Sequence, residues 1–250
     1  MPPTPLLLAI SGPSSSGKTT LSRLLRDIFP SSTLSLLHLD DFYHTDAAIP
    51  LKNGVQDWDC IESLNLPLLR STLSYIKEHG HSPPDFVSKE DQNSVGEHGV
   101  PPHVVEKAHE RITEAINDVG WKRKVCVVDG FLLFSEAMKE IRDFFDVKLF
   151  LRTSYATAKR RREARSGYVT LEGFWADPPG YVDQIVWPNY VADHKFLFQG
   201  GDVEGELDEG VCKRVGIEGM PREAEGDMGV CLEWAVGVLE GVIRGEGKGA

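Results

Sequence analysis

The amino-terminal region combines a short apolar run with a helical spacing of apolar residues. Residues 6–11 are almost entirely apolar, and Leu21, Leu24, Leu25 and Ile28 then recur at intervals of three, one and three residues. The run is typical of a buried strand, and the later spacing is that of one face of a helix. The pattern predicts a strand, a connecting loop and a helix.

The same alternation continues along the rest of the chain. Short apolar runs predict further strands at 33–39, 125–128, 147–151 and 213–217. Helical spacings lie before, between and after these runs, at about 61–79, 103–119, 135–144 and 228–243. Strands alternating with helices favour a parallel sheet covered on both faces. We therefore expect an α/β three-layer sandwich with five parallel strands, in a single domain over residues 1–250.

Two segments do not fit this alternation. Residues 80–102 are rich in Pro, Gly, His, Ser and charged residues, and residues 199–210 are acidic and rich in glycine. Segments of such composition bury little apolar surface. We expect an insertion at 80–102 and a flexible acidic insertion at 199–210.

Charge limits the kinds of partner that suit the protein. The chain has 250 residues, 27 Lys+Arg against 38 Asp+Glu, a formal net charge of −11 at pH 7 and 41% hydrophobic residues. This composition is ordinary for a globular protein, while the negative charge disfavours broad contact with nucleic acid or an anionic membrane. An anionic ligand must therefore be held at a focused site.

The cysteines and the amino terminus indicate the compartment. The four cysteines are far apart without a C-x-x-C pair, and the first apolar run is short. This pattern favours reduced cysteines, and the run is too short for a signal-sequence core or a membrane span. We expect a cytoplasmic protein, with the nucleus as an alternative.

A glycine-rich loop separates the first predicted strand from the first helix. Residues 12–19 read GPSSSGKT and fit the P-loop pattern G-x-x-x-x-G-K-[ST]. Backbone N–H groups and the helix amino terminus hold nucleotide phosphates in such loops, the lysine reaches the β- and γ-phosphates, and the following hydroxyl ligates Mg²⁺. We assign nucleotide contacts to Gly12, Ser14, Ser15, Ser16, Gly17, Lys18, Thr19 and Thr20, with Lys18 also catalytic and Thr19 also a metal ligand.

Acidic residues follow two of the predicted strands. Asp40 and Asp41 follow the second strand, and Asp129 follows the third. Ligands of an open parallel sheet bind beyond the carboxyl ends of the strands, so these acids should face the phosphate loop. One can accept a proton from an attacking hydroxyl while another, Asp129, supports Mg²⁺. Asp41 could equally cap the following turn.

The absence of a guanine-binding motif limits the classes of P-loop protein that fit the sequence. The tetrapeptide N-K-x-D does not occur in the chain. This disfavours a regulatory GTPase, so a kinase acting on a small molecule fits the phosphate loop better.

A basic run precedes a stretch of aromatic residues interleaved with glycine and proline. The run comprises residues 159–162, and because helical residues are about 100° apart, at most two of its arginines can face one ligand. The aromatic stretch suggests a lid, at about 159–190, that covers the substrate and excludes water. We assign nucleotide contacts to Arg161 and Arg162 and substrate contacts to Arg165 and Tyr168. A localisation signal or an RNA-binding patch is the alternative interpretation of the basic run.

Taken together, these segments resemble the nicotinamide riboside kinase family, within the P-loop nucleoside kinases. The resemblance covers most of residues 6–195 and is carried in order by residues 12–20, 38–43, 52–54, 57–59, 129–134, 159–162, 179–181 and 186–188. It implies transfer of the γ-phosphate of ATP to the 5′-hydroxyl of nicotinamide riboside, with Mg²⁺, to give nicotinamide mononucleotide for NAD synthesis.

The resemblance also implies roles for individual residues. Asp40 matches the catalytic aspartate and contacts the substrate, and Asp59 matches the acid that holds the ribose hydroxyls. Trp58 takes the place of an aromatic residue that stacks on the nicotinamide ring, and we place Tyr43 in the same substrate site. A tryptophan face beside carboxylates suits the flat pyridinium cation.

The chain departs from the family in two places. Asp129 stands where the family usually has glutamate, so a metal role here would require water or a shifted backbone. The lid is longer between residues 165 and 178, which leaves Tyr168, Phe174 and Trp175 as candidates for the other side of the base. Two alternatives therefore stay open: a uridine- or cytidine-kinase-like enzyme acting on another nucleoside, and a nucleotide-binding regulatory protein with impaired catalysis.

Overall fold

A five-stranded parallel sheet lies at the centre of the computed structural model, which describes residues 3–89, 96–170 and 172–246. Numbered along the chain, the strands are β1 Leu6–Ser11, β2 Leu34–His38, β3 Leu51–Lys52, β4 Val55–Gln56, β5 Val125–Gly130, β6 Val147–Phe150, β7 Tyr168–Val169, β8 Phe174–Trp175 and β9 Glu218–Gly219. The central sheet has the order β2-β5-β1-β6-β9, and two short hairpins, β3-β4 and β7-β8, stand apart from it. The α/β fold with five parallel strands is thereby confirmed.

Helices cover both faces of the sheet. They are α1 Lys18–Ile28, α2 Leu66–His79, α3 Pro102–Val119, α4 Lys139–Arg142, α5 Tyr155–Glu163, α6 Trp187–His194, α7 Glu209–Val215 and α8 Met228–Glu246. Within the described ranges, no helix is both long enough and apolar enough to cross a membrane.

The central strand β1 supplies apolar side chains to two cores. Leu6, Leu8 and Ile10 pack with α1, α3 and α8 on one face. Leu7 and Ala9 belong to the core on the other face, which includes residues of α2. Because both faces are covered, the strand reads as a continuous apolar run rather than as an alternation.

The fifth strand was predicted at the wrong position. Residues 213–217 do not form a strand: the first three belong to α7, and the edge strand is β9. Asp208 caps α7 by accepting a hydrogen bond from the Val211 N–H (2.9 Å), and Gly216 ends it with a φ of +69°. Local capping therefore overrides the strand-like composition of this stretch.

Two predicted helices are shorter than their spacing indicates. The helix predicted at 135–144 consists of a 3₁₀ turn, Glu136–Met138, and the short α4. The helix predicted at 61–79 begins at Leu66, since the Asn65 side chain caps it by accepting from the Leu68 N–H (3.1 Å). Residues 61–63 form a separate 3₁₀ turn.

Part of the insertion expected at 80–102 packs beside the carboxyl end of β2. The Phe86 ring stacks on Phe42 with 5.7 Å between centroids, and the Lys89 N–H donates to Asp41 Oδ1 at 2.6 Å. Both partners belong to the 3₁₀ turn Leu39–Phe42, so this segment supports that turn. Residues 90–95 of the insertion, and residue 171 of the expected lid, lie outside the described residues.

The acidic segment 199–210 is attached to the end of β6 and to the region after β9. Arg152, buried just beyond β6, donates to the Gly205 carbonyl and pairs with Glu225 (2.8 Å). Glu206 accepts from Arg222. These contacts fix where the segment joins the sheet edge, while its flexibility stays a prediction.

We expect opposite effects on stability from two glycine-to-alanine substitutions. A Cβ at Gly12, where φ is +148°, would collide with the Leu151 carbonyl oxygen, whereas Gly241 in α8 has nothing within 4 Å. Gly12→Ala should lower the free energy of unfolding by at least about 2 kcal/mol. Gly241→Ala should raise it by about 0.5–1 kcal/mol because alanine is the better helix former. Urea denaturation measures both, and a stable Gly12→Ala variant would contradict this geometry.

Candidate active site

The loop between β1 and α1 has three residues with a positive φ, which give its backbone a curved shape. Gly12 and Gly17 have φ values of +148° and +100°, and Ser15 has a φ of +63°. The hydroxyls of Ser15 and Ser16 are buried without a hydrogen-bond partner among the described residues. Unsatisfied donors beside a helix amino terminus fit an anion, so the loop can hold the phosphates of a nucleotide.

Lys18 is the buried cation of this loop. Its Nζ donates hydrogen bonds to the carbonyl oxygens of Gly12 (3.0 Å) and Pro13 (2.8 Å). Burial lowers the pKa of Lys18 to about 8, and the charges of Asp129 and Asp40 oppose that shift. The ammonium group is therefore stabilised by nearby carboxylates even before a phosphate is bound.

Asp129 is held by the strand next to its own. His38 and Asp129 are register partners at the ends of β2 and β5, and His38 Nδ1 lies 3.0 Å from Asp129 Oδ1. The second oxygen, Asp129 Oδ2, is buried without a hydrogen-bond partner in the part of the chain described. A free carboxylate oxygen beside the phosphate loop, together with Thr19 at the start of α1, suits a magnesium ion that also takes phosphate oxygens.

Asp40 lies in the 3₁₀ turn that directly follows β2. It is half-buried. Its charge opposes the lowering of the Lys18 pKa by burial, and it adds to the burial that raises the pKa of Tyr43. Asp40 and Asp129 thus both act electrostatically on Lys18 of the phosphate loop, while their roles toward a bound phosphate stay predictions. The neighbouring Asp41 accepts the Lys89 N–H, which gives this residue a structural partner in the 80–102 segment.

Arg162, from α5, connects the phosphate loop with two carboxylates. Its guanidinium donates to Asp59 Oδ1 (2.8 Å) and Oδ2 (2.9 Å), to Asp177 Oδ2 (2.6 Å) and to the Ser14 hydroxyl (3.0 Å). Burial raises the pKa of Asp59, and the charge of Arg162 opposes that rise. The predicted nucleotide and nucleoside sites are thus joined through one side chain.

The other residues of the basic run divide between the site and solvent. Arg161 donates to the Ser15 carbonyl (3.2 Å), whereas Arg160 is exposed. Two of the three arginines therefore face the loop, as the helical spacing predicted. Arg165 donates to the Tyr168 hydroxyl (3.1 Å), and the Tyr168 ring lies 5.3 Å from the Arg162 guanidinium. Thr20, also assigned to the nucleotide, is half-buried in the first turn of α1.

An aromatic cluster fills the space beyond Asp59. We use this name for Tyr43, Trp58, Phe131, Trp175 and Tyr181. Trp58 is 4% exposed; its ring contacts Tyr43 edge-on at 5.2 Å and the tilted Trp175 ring at 5.7 Å. Its backbone N–H donates to the Tyr181 hydroxyl (2.9 Å). Of the three aromatic candidates in the expected lid, Trp175 is the one whose ring packs against Trp58.

The β7-β8 hairpin lies over this cluster and is attached to the opposite loop. The Asp46 N–H donates to Glu172 Oε2 (2.9 Å), and the Thr170 hydroxyl donates to Asp46 Oδ2 (3.1 Å). Phe174 is 58% exposed, while Trp175 on the same strand points inward and donates from Nε1 to Asp177 (2.9 Å). The hairpin thus contributes Trp175 to the aromatic cluster and is held by Asp46.

Sequence reasoning did not assign Asp177 or His38 to the site. Asp177 lies in a stretch without periodicity, and only the fold brings it to Arg162. His38 was recognised within the segment 38–43, but nothing in the spacing indicates that it faces Asp129 from the adjacent strand. The His38 contact would follow from knowing the strand order, because β2 and β5 are neighbours despite their separation in sequence. The Asp177 contact would not, since this residue follows the β7-β8 hairpin.

Comparison with curated proteins gives relatives over nearly the whole chain. The chain is 42% identical to nicotinamide riboside kinase of Schizosaccharomyces pombe, over 96% of this chain and 98% of the relative. It is 38% identical to that of Saccharomyces cerevisiae (84% and 86%) and 30% identical to human nicotinamide riboside kinase 1 (74% and 74%).

The comparisons with family models and with solved structures add little to the family assignment. No protein-family model matches the chain. A solved structure described as a possible uridine kinase from Bacillus stearothermophilus aligns with a TM-score of 0.43 and 15% identity, covering 83% of this chain and 91% of that chain. On the similarity to the curated relatives, which extends through the phosphate loop, the acids and the aromatic cluster, the chain belongs to the nicotinamide riboside kinase family.

Proposed function

We propose that this protein transfers the γ-phosphoryl group of ATP to the 5′-hydroxyl of nicotinamide riboside, giving nicotinamide mononucleotide. The observation that carries the proposal is the place of Asp40 in the 3₁₀ turn directly after β2, where its charge acts on Lys18 of the phosphate loop and on Tyr43 of the aromatic cluster. A carboxylate there can serve a sugar hydroxyl on one side and a phosphoryl donor on the other. The names of the relatives support the choice of nucleoside.

Asp40 is the proposed catalytic base. It orients the 5′-hydroxyl and accepts its proton as the oxygen attacks the phosphoryl group. Lys18 leaves its contacts with the loop carbonyls and stabilises the charge that develops on the transferred group. Arg161 and Arg162 add positive charge from α5, beside the same loop.

The metal site is proposed on Thr19 and Asp129. Bound there, Mg²⁺ would neutralise charge on the β- and γ-phosphates. His38 fixes one oxygen of Asp129, and the other is left without a protein partner among the described residues. The shorter side chain of aspartate is thus already oriented by a neighbouring strand.

The nucleoside is proposed to bind between Asp59 and the aromatic cluster. Asp59 can accept hydrogen bonds from the ribose hydroxyls, while Trp58 and Trp175 can receive the flat pyridinium ring. Because these two rings are in contact, the β7-β8 hairpin must move outward for a base to enter between them. Tyr43, Arg165 and Tyr168 complete the proposed substrate site, with the hairpin as part of the lid.

Turnover on a panel of nucleosides tests the proposal. Purified protein with ATP and Mg²⁺ would be assayed on nicotinamide riboside, nicotinic acid riboside, uridine and cytidine. We expect the highest kcat/KM on nicotinamide riboside. A clear preference for uridine or cytidine would support the uridine-kinase-like alternative, and ATP binding without transfer to any nucleoside would support the regulatory one.

Asp40→Asn should lower kcat by about 10²–10⁴-fold, because the amide cannot accept the proton. ATP affinity should change little. The matched control is Asp41→Asn, in which the amide oxygen can still accept the Lys89 N–H. Steady-state kinetics and calorimetric titration of ATP measure both quantities; equal losses in the two variants would contradict the assignment of Asp40.

ATP binding should weaken as pH rises above the pKa of Lys18, which is about 8 in the free protein. The neutral amine formed above that pH does not attract phosphate, so the Kd for ATP should approach about a tenfold increase per pH unit. Titration calorimetry from pH 7 to 9 measures this dependence. Lys18→Met should bind ATP weakly with a flatter profile, and an equally steep profile in that variant would show that another group is responsible.

Trp175→Ala should raise KM for nicotinamide riboside about tenfold, because it removes one face of the proposed ring site. Trp58→Ala should do the same, with kcat less affected. Phe174→Ala is the control, since its side chain is exposed on the same strand. An unchanged KM in Trp175→Ala would place the ring elsewhere.

A further inference from the structure

The side chain of Asn189, in α6, joins two segments that are separate in sequence. Its Nδ2 donates to both carboxylate oxygens of Asp57 (3.0 and 2.9 Å) and to the Asp59 carbonyl (3.1 Å). Its Oδ1 accepts from Lys52 Nζ (2.6 Å) in the β3-β4 hairpin. One half-buried amide thus contacts the hairpin and both ends of the loop 57–59.

The two ends of the amide cannot exchange roles. A lysine ammonium group only donates hydrogen bonds, so it requires the amide oxygen. A carboxylate only accepts, so Asp57 requires the amide nitrogen. Lys52 and Asp57 therefore determine the orientation of Asn189 together, and aspartate at this position could satisfy only Lys52.

Asp57 links the orientation of the Asn189 side chain to the conformation of the loop 57–59. It is 4% exposed, and among the described residues it has no ion-pair partner. Its hydrogen bonds come from Asn189 and from the Asp59 N–H, which donates to Asp57 Oδ1 at 3.0 Å. A buried carboxylate depends on such donors, so the conformation of residues 57–59 depends on Asn189.

We propose that Asn189 is a positioning residue for the nucleoside, acting through Asp57 on Trp58 and Asp59. The inference rests on the proposed function, which assigns Trp58 and Asp59 to the substrate. Asn189 itself does not touch the reacting groups. Its effect should therefore appear in nucleoside binding and not in the phosphate loop, which holds ATP through other residues.

The first test is Asn189→Asp, which keeps the size of the side chain but faces Asp57 with a second carboxylate. We expect KM for nicotinamide riboside to rise at least about tenfold, from the lost charged hydrogen bonds and the added repulsion. The Kd for ATP should stay within about twofold of wild type. Asn117→Asp, the same change at an exposed position in α3, is the control and should alter neither quantity.

The second test exchanges the two side chains. In Asp57→Asn/Asn189→Asp, a carboxylate on α6 accepts from the amide at position 57 and from Lys52, and the new amide oxygen can still accept the Asp59 N–H. The Asp59 carbonyl still lacks the hydrogen bond that Asn189 donated to it, so the double variant should recover part, and not all, of the nucleoside affinity lost in Asn189→Asp. A residue that only stabilises the fold would not show this recovery together with an unchanged Kd for ATP.

The outcomes separate this inference from the proposed function. If wild type neither binds nor phosphorylates nicotinamide riboside, the proposed function fails. If wild type is active and Asn189→Asp has the same nucleoside KM, only the positioning role is overturned; equal losses of nucleoside and ATP affinity would overturn it as well. Should Asn189→Asp not fold, Lys52→Met tests the same chain of contacts, and an unchanged nucleoside KM there would overturn the inference.

Discussion

The burial of one guanidinium group constrains the whole site. Arg162 is 7% exposed and can remain charged there only because Asp59 and Asp177 surround it with hydrogen-bond acceptors. Asp59 comes from the loop 57–59 and Asp177 from the segment after the β7-β8 hairpin, while Ser14 comes from the phosphate loop. Three segments that are distant in sequence therefore meet at the Arg162 guanidinium group. Loss of either carboxylate would leave the buried ion only partly compensated, so one side chain ties these segments together.

This arrangement explains how an acidic protein can hold an anionic substrate. The formal net charge of −11 repels phosphate from most of the surface. At the phosphate loop, Lys18, Arg161 and Arg162 concentrate positive charge beside the curved backbone, which adds N–H groups. The neighbouring carboxylates are the groups proposed to serve the metal ion and the sugar, so the proposed anion and cation contacts lie side by side in the candidate site.

The sequence was sufficient for the parts of the structure that depend on local pattern. The phosphate loop and the strands β1, β2, β5 and β6 lie where apolar runs and glycine spacing indicated, and Asp40 and Asp129 lie at the ends of β2 and β5. The fifth strand failed because β9 has two residues, too few for a pattern, while the preceding stretch obeys the caps of α7. Contacts such as His38 with Asp129, or Arg162 with Asp177, could not be predicted, since they depend on strand order and on a hairpin without periodicity.

The turn that carries Asp40 is assembled from distant parts of the chain. Phe86 covers Phe42 and the Lys89 backbone is bound by Asp41, so residues more than forty positions downstream form one wall of that turn. This part of the insertion therefore supports the turn that holds the proposed catalytic base. Changes in the length or composition of the segment between α2 and α3 would therefore alter the reaction rate. A protein shortened there would lose activity before it lost its fold.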